Sequence, residues 1–360
     1  MSTITLDARA PAAAAARPLK AQDDKAMLRA AAELTRDLVR PRPGIYWADM
    51  LGSAVIGYAA LVGAVMMPGA WAVAAGVVAV LALYRAMSFI HEVSHMKHAG
   101  AMRGFRRGFD AVVGVPMLIP SFMYEGVHNL HHAKTRYGTS EDPEYLPLAL
   151  MKPWTLPVFI LVSALAPVGL LIRYGVLAPL SAVVPGLRRT VVERYSALAI
   201  NPQFRRRAPD GEAKLYWDRL EAACAVWAVA LIVLVATGTL PLRAFAIGFG
   251  IASAVAVLNQ VRTLVAHLWE NDGEPMSVTA QYLDSVNVPP PTLLPALWAP
   301  VGLRYHALHH LLPGLPYHAL GEAHRRLTAA LEEASPFHKA SYSGLPYLAA
   351  KIGRSTLGRR

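Results

Sequence analysis

Long apolar runs, separated by short loops rich in arginine, dominate the chain. Residues 46–67 and 70–90 are each close to the roughly 20 residues that a helix needs to cross a bilayer, and a Pro-Gly pair separates them. Residues 220–239 and 242–268 form a second pair, joined by a Leu-Pro turn. The pattern predicts an all-α integral membrane fold with two transmembrane helical hairpins, which makes about four spans, together with interfacial helices.

The apolar stretch 154–185 is harder to assign, because it contains three internal prolines and Arg173. Its length allows one long span, two short ones or a re-entrant hairpin. The flanking loops around 103–107 and 188–207 are both rich in arginine, so the positive-inside rule places both on the cytoplasmic side. An even number of crossings between them favours a hairpin, although an interfacial helix satisfies the same parity. The run 111–122 is too short to span and is expected at the interface or inside the protein.

Composition agrees with a membrane protein. Of the 360 residues 54% are hydrophobic and only 16% are charged, and the mean hydropathy is +0.34, outside the usual soluble range. The net charge of +11 lies in loops beside apolar runs, and no basic run interleaved with aromatics indicates nucleic-acid binding. Arg243 and Arg262 fall inside the last apolar run and are expected near its ends or facing the protein. The single cysteine, Cys224, excludes an intrachain disulfide and a four-cysteine iron-sulfur cluster.

One membrane domain is the simplest division of the chain, because no polar linker separates two apolar cores. We expect this domain over residues 41–335. Residues 1–40 are expected to be a disordered or interfacial N-terminal segment, since their opening part lacks the apolar core of a signal peptide. Residues 336–360 are expected to be a basic C-terminal tail, with both termini on the cytoplasmic side.

Histidines supply the candidate chemistry, because ten of the 13 fall in three clusters and one lone position near the ends of predicted spans. The clusters read HEVSHMKH, HNLHH and HALHH. The ten are His91, His95, His98, His128, His131, His132, His267, His306, His309 and His310. Positions i, i+3 and i+4 of a helix share a face, so each cluster can direct two or three imidazoles to one point. A single histidine at a helix end more often caps the helix or lies at the membrane interface. Three clusters on one side of the membrane instead predict a histidine-rich region that covers the cytoplasmic ends of the spans.

The number of imidazoles indicates two metal ions, because a zinc ion is normally satisfied by four ligands. Imidazole also binds iron, copper and nickel. Iron is favoured, since oxidation of unactivated carbon in a buried apolar substrate requires a redox metal.

HEVSH, HNLHH and HALHH resemble the three histidine boxes, HxxxH, HxxHH and HxxHH, of the membrane fatty acid desaturase and hydroxylase superfamily. The resemblance extends over residues 45–327 in the order of the elements. It implies a centre of two non-haem iron ions, molecular oxygen as co-substrate, a lipid or acyl substrate from the membrane, and a separate electron donor such as ferredoxin or a cytochrome with its reductase. The nine iron ligands that it implies are His91, His95, His128, His131, His132, His267, His306, His309 and His310. His98 is either an additional ligand, or a residue that supports the ligands from behind or lies at the interface.

The best-matching activity is oxygen-dependent desaturation of a fatty acyl chain, by resemblance to bacterial acyl-lipid desaturases. His306 stands where front-end desaturases have glutamine, and three residues rather than four separate His91 from His95, unlike the acyl-CoA desaturases of animals and yeast. A hydroxylase or ketolase of the same superfamily, acting on a lipid, an alkane or a carotenoid, is the alternative, because substrate placement alone separates these reactions.

Two other classes are weaker matches. HEVSH fits the HExxH signature of a metalloprotease, with Glu92 as general base and Asp272 as a distant ligand, but this leaves the other two clusters without a purpose. A transporter is disfavoured because substrate sites of transporters lie near the bilayer midplane, whereas these histidines cluster at the predicted cytoplasmic ends of the spans. Carboxylates that could orient imidazoles, or could simply be solvated loop charges, are Glu92, Asp142, Glu144, Asp272 and Asp284. The remaining histidines, expected to be structural or at the surface, are His318, His324 and His338.

Overall fold

The computed structural model of the protein describes residues 22–96 and 100–357, with only the backbone of residue 101. Within these ranges the chain is mostly helical and has no β-strand, so the predicted all-α fold is confirmed. The helices are α1 Lys25–Leu34, α2 Pro43–Met66, α3 Gly69–His95, α4 Phe105–Phe109, α5 His128–His131, α6 Thr155–Val183, α7 Pro185–Tyr195, α8 Gly211–Ala236, α9 Leu242–Leu264, α10 Val278–Asp284, α11 Pro295–Trp298, α12 His306–Leu311, α13 Leu320–Ala330 and α14 Leu345–Leu357. Shorter 3₁₀ or π turns are Gly100–Met102, Asp110–Gly114, Ser121–Met123, Leu148–Leu150, Tyr317–Ala319 and Pro336–Ala340.

Five of the described helices, namely α2, α3, α6, α8 and α9, are long and apolar enough to cross a membrane. Their outer faces expose large apolar side chains, among them Val55, Trp71, Val226 and Leu242, each at least 67% exposed. Apolar side chains can face lipid without losing hydrogen bonds to water, and the backbone polar groups of a helix are satisfied within the helix. The chain is therefore a multi-pass membrane protein with five candidate spans where about four were predicted.

The additional candidate span is α6, and the hairpin favoured for residues 154–185 is wrong. The 29 residues of α6 form one continuous helical run that includes a 3₁₀ turn at Val162–Leu165 and a π turn at Arg173–Leu177. Each irregular turn lies just before a proline, Pro167 or Pro179. Proline removes one N–H and its ring clashes with the carbonyl four residues earlier, so local 3₁₀ and π adjustments are the expected accommodation. The prolines therefore make this helical run irregular, and residues 155–183 contain no turn of the kind that joins the two helices of a hairpin.

The hairpin of α2 and α3 is the most closely packed helix pair. Its turn is made by Pro68 and Gly69, and Gly69 adopts φ +56°, a left-handed conformation that favours glycine. In the middle of α2, the backbone of Gly57 lies so close to α3 that a Cβ at this position would be 2.7 Å from the side chain of Leu83. This close approach aligns the last turn of α3 with the start of α2, where Tyr46 contacts Phe89 edge to face.

The non-spanning elements form a second packed region, which we call the cap: α5 and α10 to α14. Helix α1 packs onto the cap through Met27 and Ala31, which are buried against α13. Helix α14 is anchored by the buried side chains of Leu348 and Ile352. The predicted division of the chain at residues 40 and 335 stays a prediction. Within the segment 1–40, the described part forms the helix α1, and residues 1–21 lie outside the described ranges.

The two arginines of the last span lie where charge in a membrane helix is expected. Arg243 is in the first turn of α9 and donates from Nη1 to the carbonyl of Val65 at 3.0 Å. Arg262 is in the last turn and is only 9% exposed, facing the protein. The short apolar run before residue 122 lies inside the protein, with Val113 and Phe122 buried.

Candidate metal centre

Nine histidines from four parts of the chain meet in one cluster at the junction of the spans and the cap. Two come from the last turn of α3, three from α5 and the residue after it, three from α12, and one follows α9. Seven of them are no more than 5% exposed, while His95 and His132 are partly buried. They are the nine residues His91, His95, His128, His131, His132, His267, His306, His309 and His310. The structure thus brings together all nine residues that the histidine boxes suggested; His98 lies outside the described residues.

The imidazoles divide into two groups, in each of which the candidate ligand nitrogens lie within 4.8 Å of one another. We call them the five-histidine group and the four-histidine group. The five-histidine group is His91, His95, His128, His132 and His309. The four-histidine group is His131, His267, His306 and His310.

Helical spacing accounts for this division. With 3.6 residues per turn, position i+4 lies about 40° to one side of position i and i+3 about 60° to the other. In HNLHH, positions i and i+4 enter the five-histidine group and i+3 enters the four-histidine group. In HALHH the assignment is the opposite, because His309 at i+3 joins the five-histidine group. Each HxxHH box therefore contributes to both groups.

Distances between the ring nitrogens fit a metal ion in each group. In the four-histidine group, Nε2 of His267 lies 3.0 Å from Nε2 of His306 and 3.3 Å from Nε2 of His131. In the five-histidine group, Nε2 of His132 lies 2.9 Å from Nε2 of His128 and 3.1 Å from Nε2 of His309. When metal–imidazole bonds are about 2.1 Å long, nitrogens at right angles around one ion are separated by about 3 Å.

Several buried ring nitrogens have no hydrogen-bond partner within the protein, which also indicates that these rings bind metal ions. They include both nitrogens of His91, Nε2 of His95, and Nδ1 of His132, His306, His309 and His310. Buried polar atoms in proteins nearly always have a partner, so this concentration of unpartnered imidazoles needs an explanation. Coordination of ions between the rings supplies one for the nitrogens that face the centre.

Burial also keeps most of these rings neutral, as ligation requires. Burial, followed by the charges of neighbouring imidazoles, lowers the pKa of His128, His132 and His309 well below the usual range. The pKa of His267 is lowered by burial and then by the charges of His131 and Arg262. His131 is the exception: burial lowers its pKa, but the charge and hydrogen bond of Asp142 and the nearby carboxylates outweigh burial and raise it.

Three acidic side chains, two buried and one half-buried, orient three of the rings through Nδ1. The Nδ1–H of His131 donates to Asp142 at 2.9 Å, and that of His128 donates to Glu144 at 2.8 Å. His267 donates to the hydroxyl of Tyr137 at 2.8 Å, and this hydroxyl donates in turn to Asp284 at 2.8 Å. Such bonds leave the Nε2 lone pair directed at the centre and make the ring a better ligand.

Asp142 and Asp284 are buried, and the Glu144 side chain is only 17% exposed and bonded to His128, so interpreting the three orienting carboxylates as solvated loop charges is wrong. Burial raises the pKa of Glu144 to about 7 and that of Asp284 to about 6. Glu92 is buried too, but it accepts from the Tyr46 hydroxyl at 2.5 Å and from the Tyr317 amide at 3.1 Å. Asp272 is exposed, which removes the distant ligand of the metalloprotease alternative.

The remaining histidines have structural partners outside the centre. Nε2 of His318 accepts from the backbone N–H of Arg42 at 3.1 Å, and Nε2 of His338 lies 3.3 Å from the Leu331 carbonyl. His324 packs beside Ser341. Three partners of the centre carried no signal in the sequence: Tyr124, Tyr137 and Ser285. They are single residues in loops or short turns, and only their tertiary position gives them a role.

A cavity of about 710 Å³ extends from the histidine cluster between the spans. This volume is typical of a small-molecule or lipid site. Its inner end is lined by His91, His267 and His306, and its walls are apolar side chains of α2, α3, α6, α8 and α9, such as Leu61 and Phe245. The arrangement places an alkyl chain in an apolar environment with one part of it next to the candidate metal centre.

Comparison with known proteins agrees with this geometry. The family model for fatty acid desaturase matches residues 68–342, a range that includes all nine histidines. A ceramide hydroxylase of Caulobacter vibrioides is 49% identical to the chain over 327 residues, which is 91% of this chain and 93% of that protein.

Proposed function

The chain belongs to the fatty acid desaturase family of membrane oxidoreductases, and we propose that within this family it hydroxylates a lipid of the ceramide class. The observation that carries the proposal is the 49% identity with a ceramide hydroxylase over more than nine-tenths of both chains. The similarity favours the hydroxylase alternative over acyl desaturation. Both reactions can use the same histidine centre, and they differ in how the carbon to be oxidised is held.

The nine histidines are proposed as the ligands of two iron ions, one in each group. The short distances between their nitrogens and the buried nitrogens that have no hydrogen-bond partner support this assignment. Iron bound there would supply the reductive activation of molecular oxygen. In the overall reaction one oxygen atom enters a C–H bond to give an alcohol, the other leaves as water, and two electrons and two protons are consumed. A separate one-electron carrier protein provides the electrons, as is typical of the family.

The residues of the chain have distinct tasks in this reaction. Asp142 and Glu144 hold a proton on Nδ1 of His131 and His128, so that the Nε2 atoms stay available as ligands. Tyr137 fixes the ring of His267. The apolar walls of the cavity exclude water and hold the alkyl chain against the centre, which limits the positions that can react.

We also propose that the centre and both termini face the cytoplasm. The loops at 103–107 and 188–207 are rich in arginine, and Arg106 and Arg206 both donate to Glu125, close to the second histidine box. The positive-inside rule supports a cytoplasmic position for this end of the spans. Their charge suits an acidic electron carrier that approaches from that side.

The proposal is tested in a host that makes ceramide and does not hydroxylate it. Ceramides are compared by mass spectrometry after expression of the intact chain, His309→Ala and, as a matched control, His338→Ala, whose ring lies outside the centre. We expect a ceramide with one additional oxygen for the intact chain and for the control, and none for His309→Ala. A ceramide lacking two hydrogens would assign desaturation instead. An unchanged ceramide pool, with iron present in the purified protein, would contradict the proposed substrate.

A further inference from the structure

A positively charged side chain lies in the otherwise apolar cavity beside the histidine centre. Arg262, in the last turn of α9, is 9% exposed and lines the same cavity as His91, His267 and His306. It precedes His267 by five residues, and α9 ends between them at Leu264. The position sets a fixed charge next to the place where substrate carbon meets the metal centre.

Arg262 lacks the partners that a buried arginine normally has. In the parts of the chain that the structure describes it forms no salt bridge, and its buried Nε has no hydrogen-bond partner. The hydroxyl of Tyr84 lies beside it and donates to the carbonyl of Trp298 at 3.1 Å, so Tyr84 offers a neutral acceptor and no counter-charge.

The chain treats its other deeply buried arginine differently. Arg173, which is 3% exposed, pairs with Glu221 and donates to the Ser196 hydroxyl and the Tyr195 carbonyl at 2.9 Å each. One buried nitrogen, Nη1, has no partner in Arg173 either, so the difference between the two arginines is the ion pair. A guanidinium has five N–H donors, no acceptor, and a charge that it keeps at any pH of interest. Because Arg262 lines the cavity and forms no salt bridge among the described residues, its guanidinium can donate to an acceptor of a ligand that enters the cavity.

The surroundings of Arg262 indicate what kind of acceptor fits. Asn259, Gln260 and Thr263 line the cavity beside it and form with it a polar patch on one wall. The rest of the cavity is mostly apolar, with Leu61, Leu171 and Phe245 among its lining residues. A ligand with a polar linkage at one position and an alkyl chain beyond it matches this distribution.

We propose that Arg262 binds a carbonyl or hydroxyl oxygen of the lipid's polar linkage within the cavity, and thereby places a carbon a few bonds from that oxygen at the histidine centre. The inference rests on the proposed function, because a ceramide is uncharged and carries an amide carbonyl and hydroxyl groups as its acceptors. It assigns the position of oxidation to the polar end of the substrate and leaves the far end of the alkyl chain in the apolar part of the cavity.

Binding tests this role without turnover. The purified protein in detergent is titrated with a short-chain ceramide, and the bound fraction is measured by native mass spectrometry for the intact chain, Arg262→Leu, Arg262→Lys and Arg243→Leu. We expect Arg262→Leu to weaken binding by about tenfold to a hundredfold, since a hydrogen bond to a charged donor is lost. Arg262→Lys should lose less, and Arg243→Leu, at the other end of α9, should bind like the intact chain. Retention of iron in each variant shows that the centre remains folded.

Substrate analogues identify the oxygen that is bound. One set replaces the amide carbonyl by a thiocarbonyl, whose sulfur is a weaker acceptor, and another lacks single hydroxyl groups. The analogue without the recognised oxygen should bind weakly to the intact chain and lose nothing further in Arg262→Leu. Equal ceramide binding with and without Arg262 would overturn the inference and leave the proposed function intact. An intact chain that binds no ceramide would overturn both.

The position of the product provides an independent measurement. Tandem mass spectrometry of the product should locate the new hydroxyl within a few bonds of the amide, and Arg262→Leu should spread it over more distant carbons. A hydroxyl near the methyl end of a chain in the product of the intact protein would contradict the inference.

Discussion

Asp142 is the residue whose replacement most directly tests how the centre is held. Its carboxylate is fully buried and accepts four hydrogen bonds. Oδ1 accepts from the amide of Glu144 at 2.8 Å and from Nδ1 of His131 at 3.0 Å. Oδ2 accepts from the amide of Gly138 at 2.8 Å and from the same Nδ1 at 2.9 Å. Every neighbour is therefore a donor, and a carboxylate is the group that satisfies all of them.

The substitution Asp142→Asn keeps the shape and creates a conflict. In either orientation of the amide, its NH₂ group faces a backbone N–H, of Gly138 or of Glu144. The charge-assisted bond to His131 is also weakened, and such a bond contributes roughly 1.5–3 kcal/mol. A loss of about 2 kcal/mol corresponds to about thirtyfold in an equilibrium constant. This lies within the tenfold to hundredfold reduction in metal affinity that is typical when a partner of a ligating histidine is removed.

Because His131 belongs to the four-histidine group, the loss should be selective. Iron per chain is measured after dialysis against graded concentrations of a chelator. We expect Asp142→Asn to release one iron at about thirtyfold lower chelator strength and to keep the other. Glu144→Gln should lower the affinity of the five-histidine group for its ion, because Glu144 bonds to His128 of that group. Glu141→Gln is the control, since Glu141 is exposed and pairs with Arg136 at the surface.

Retention of both ions by a folded Asp142→Asn protein, with the affinity of the intact chain, would refute the reasoning. The same would follow if Glu141→Gln released iron as readily, because the effect would then come from the general charge of the loop. Simultaneous loss of both ions at one chelator concentration would refute the assignment of His131 and His128 to separate groups.

Three further predictions concern stability. Glu221→Gln leaves the buried Arg173 without its counter-charge. Thermal unfolding in detergent should show that the free energy of unfolding falls by about 3–5 kcal/mol, and an unchanged Tm would contradict this. Gly57→Val places atoms within reach of Leu83 and should cost about 1–3 kcal/mol, whereas Gly52→Ala, with nothing within 4 Å of its Cβ, should be close to neutral. Asp110 has its pKa raised, mainly by burial, so stability should fall as pH rises from about 4 through the raised pKa. Asp110→Asn should reduce that slope in a Tm profile, and an unchanged slope would exclude this residue as its source.

The histidine cluster was the most predictable part of the molecule, because helical spacing is a local property. His91 and His95 follow from one turn of α3 and need no knowledge of the fold. The division into two groups was not predictable, since it depends on how α5 and α12 face each other. The burial of Asp142 was also missed, because it lies in a polar loop whose composition resembles that of solvated loops. Only the folded chain brings this carboxylate to His131.

The number of spans was predictable only where the apolar runs were uninterrupted. Four runs matched four helices, α2, α3, α8 and α9, although α8 begins at Gly211 rather than at residue 220 and α3 continues to His95 rather than ending at residue 90. Arg173 and the prolines of α6 suggested breaks, but its π turn and a pairing with Glu221 accommodate them inside one helix. A charge in an apolar run is thus informative only together with its partner. Applied to α9, the same criterion separates Arg243, bonded to a backbone carbonyl at the end of the span, from Arg262, which forms no salt bridge among the described residues and lines a cavity. The first is explained by the fold alone, whereas the second can donate to a ligand that enters the cavity.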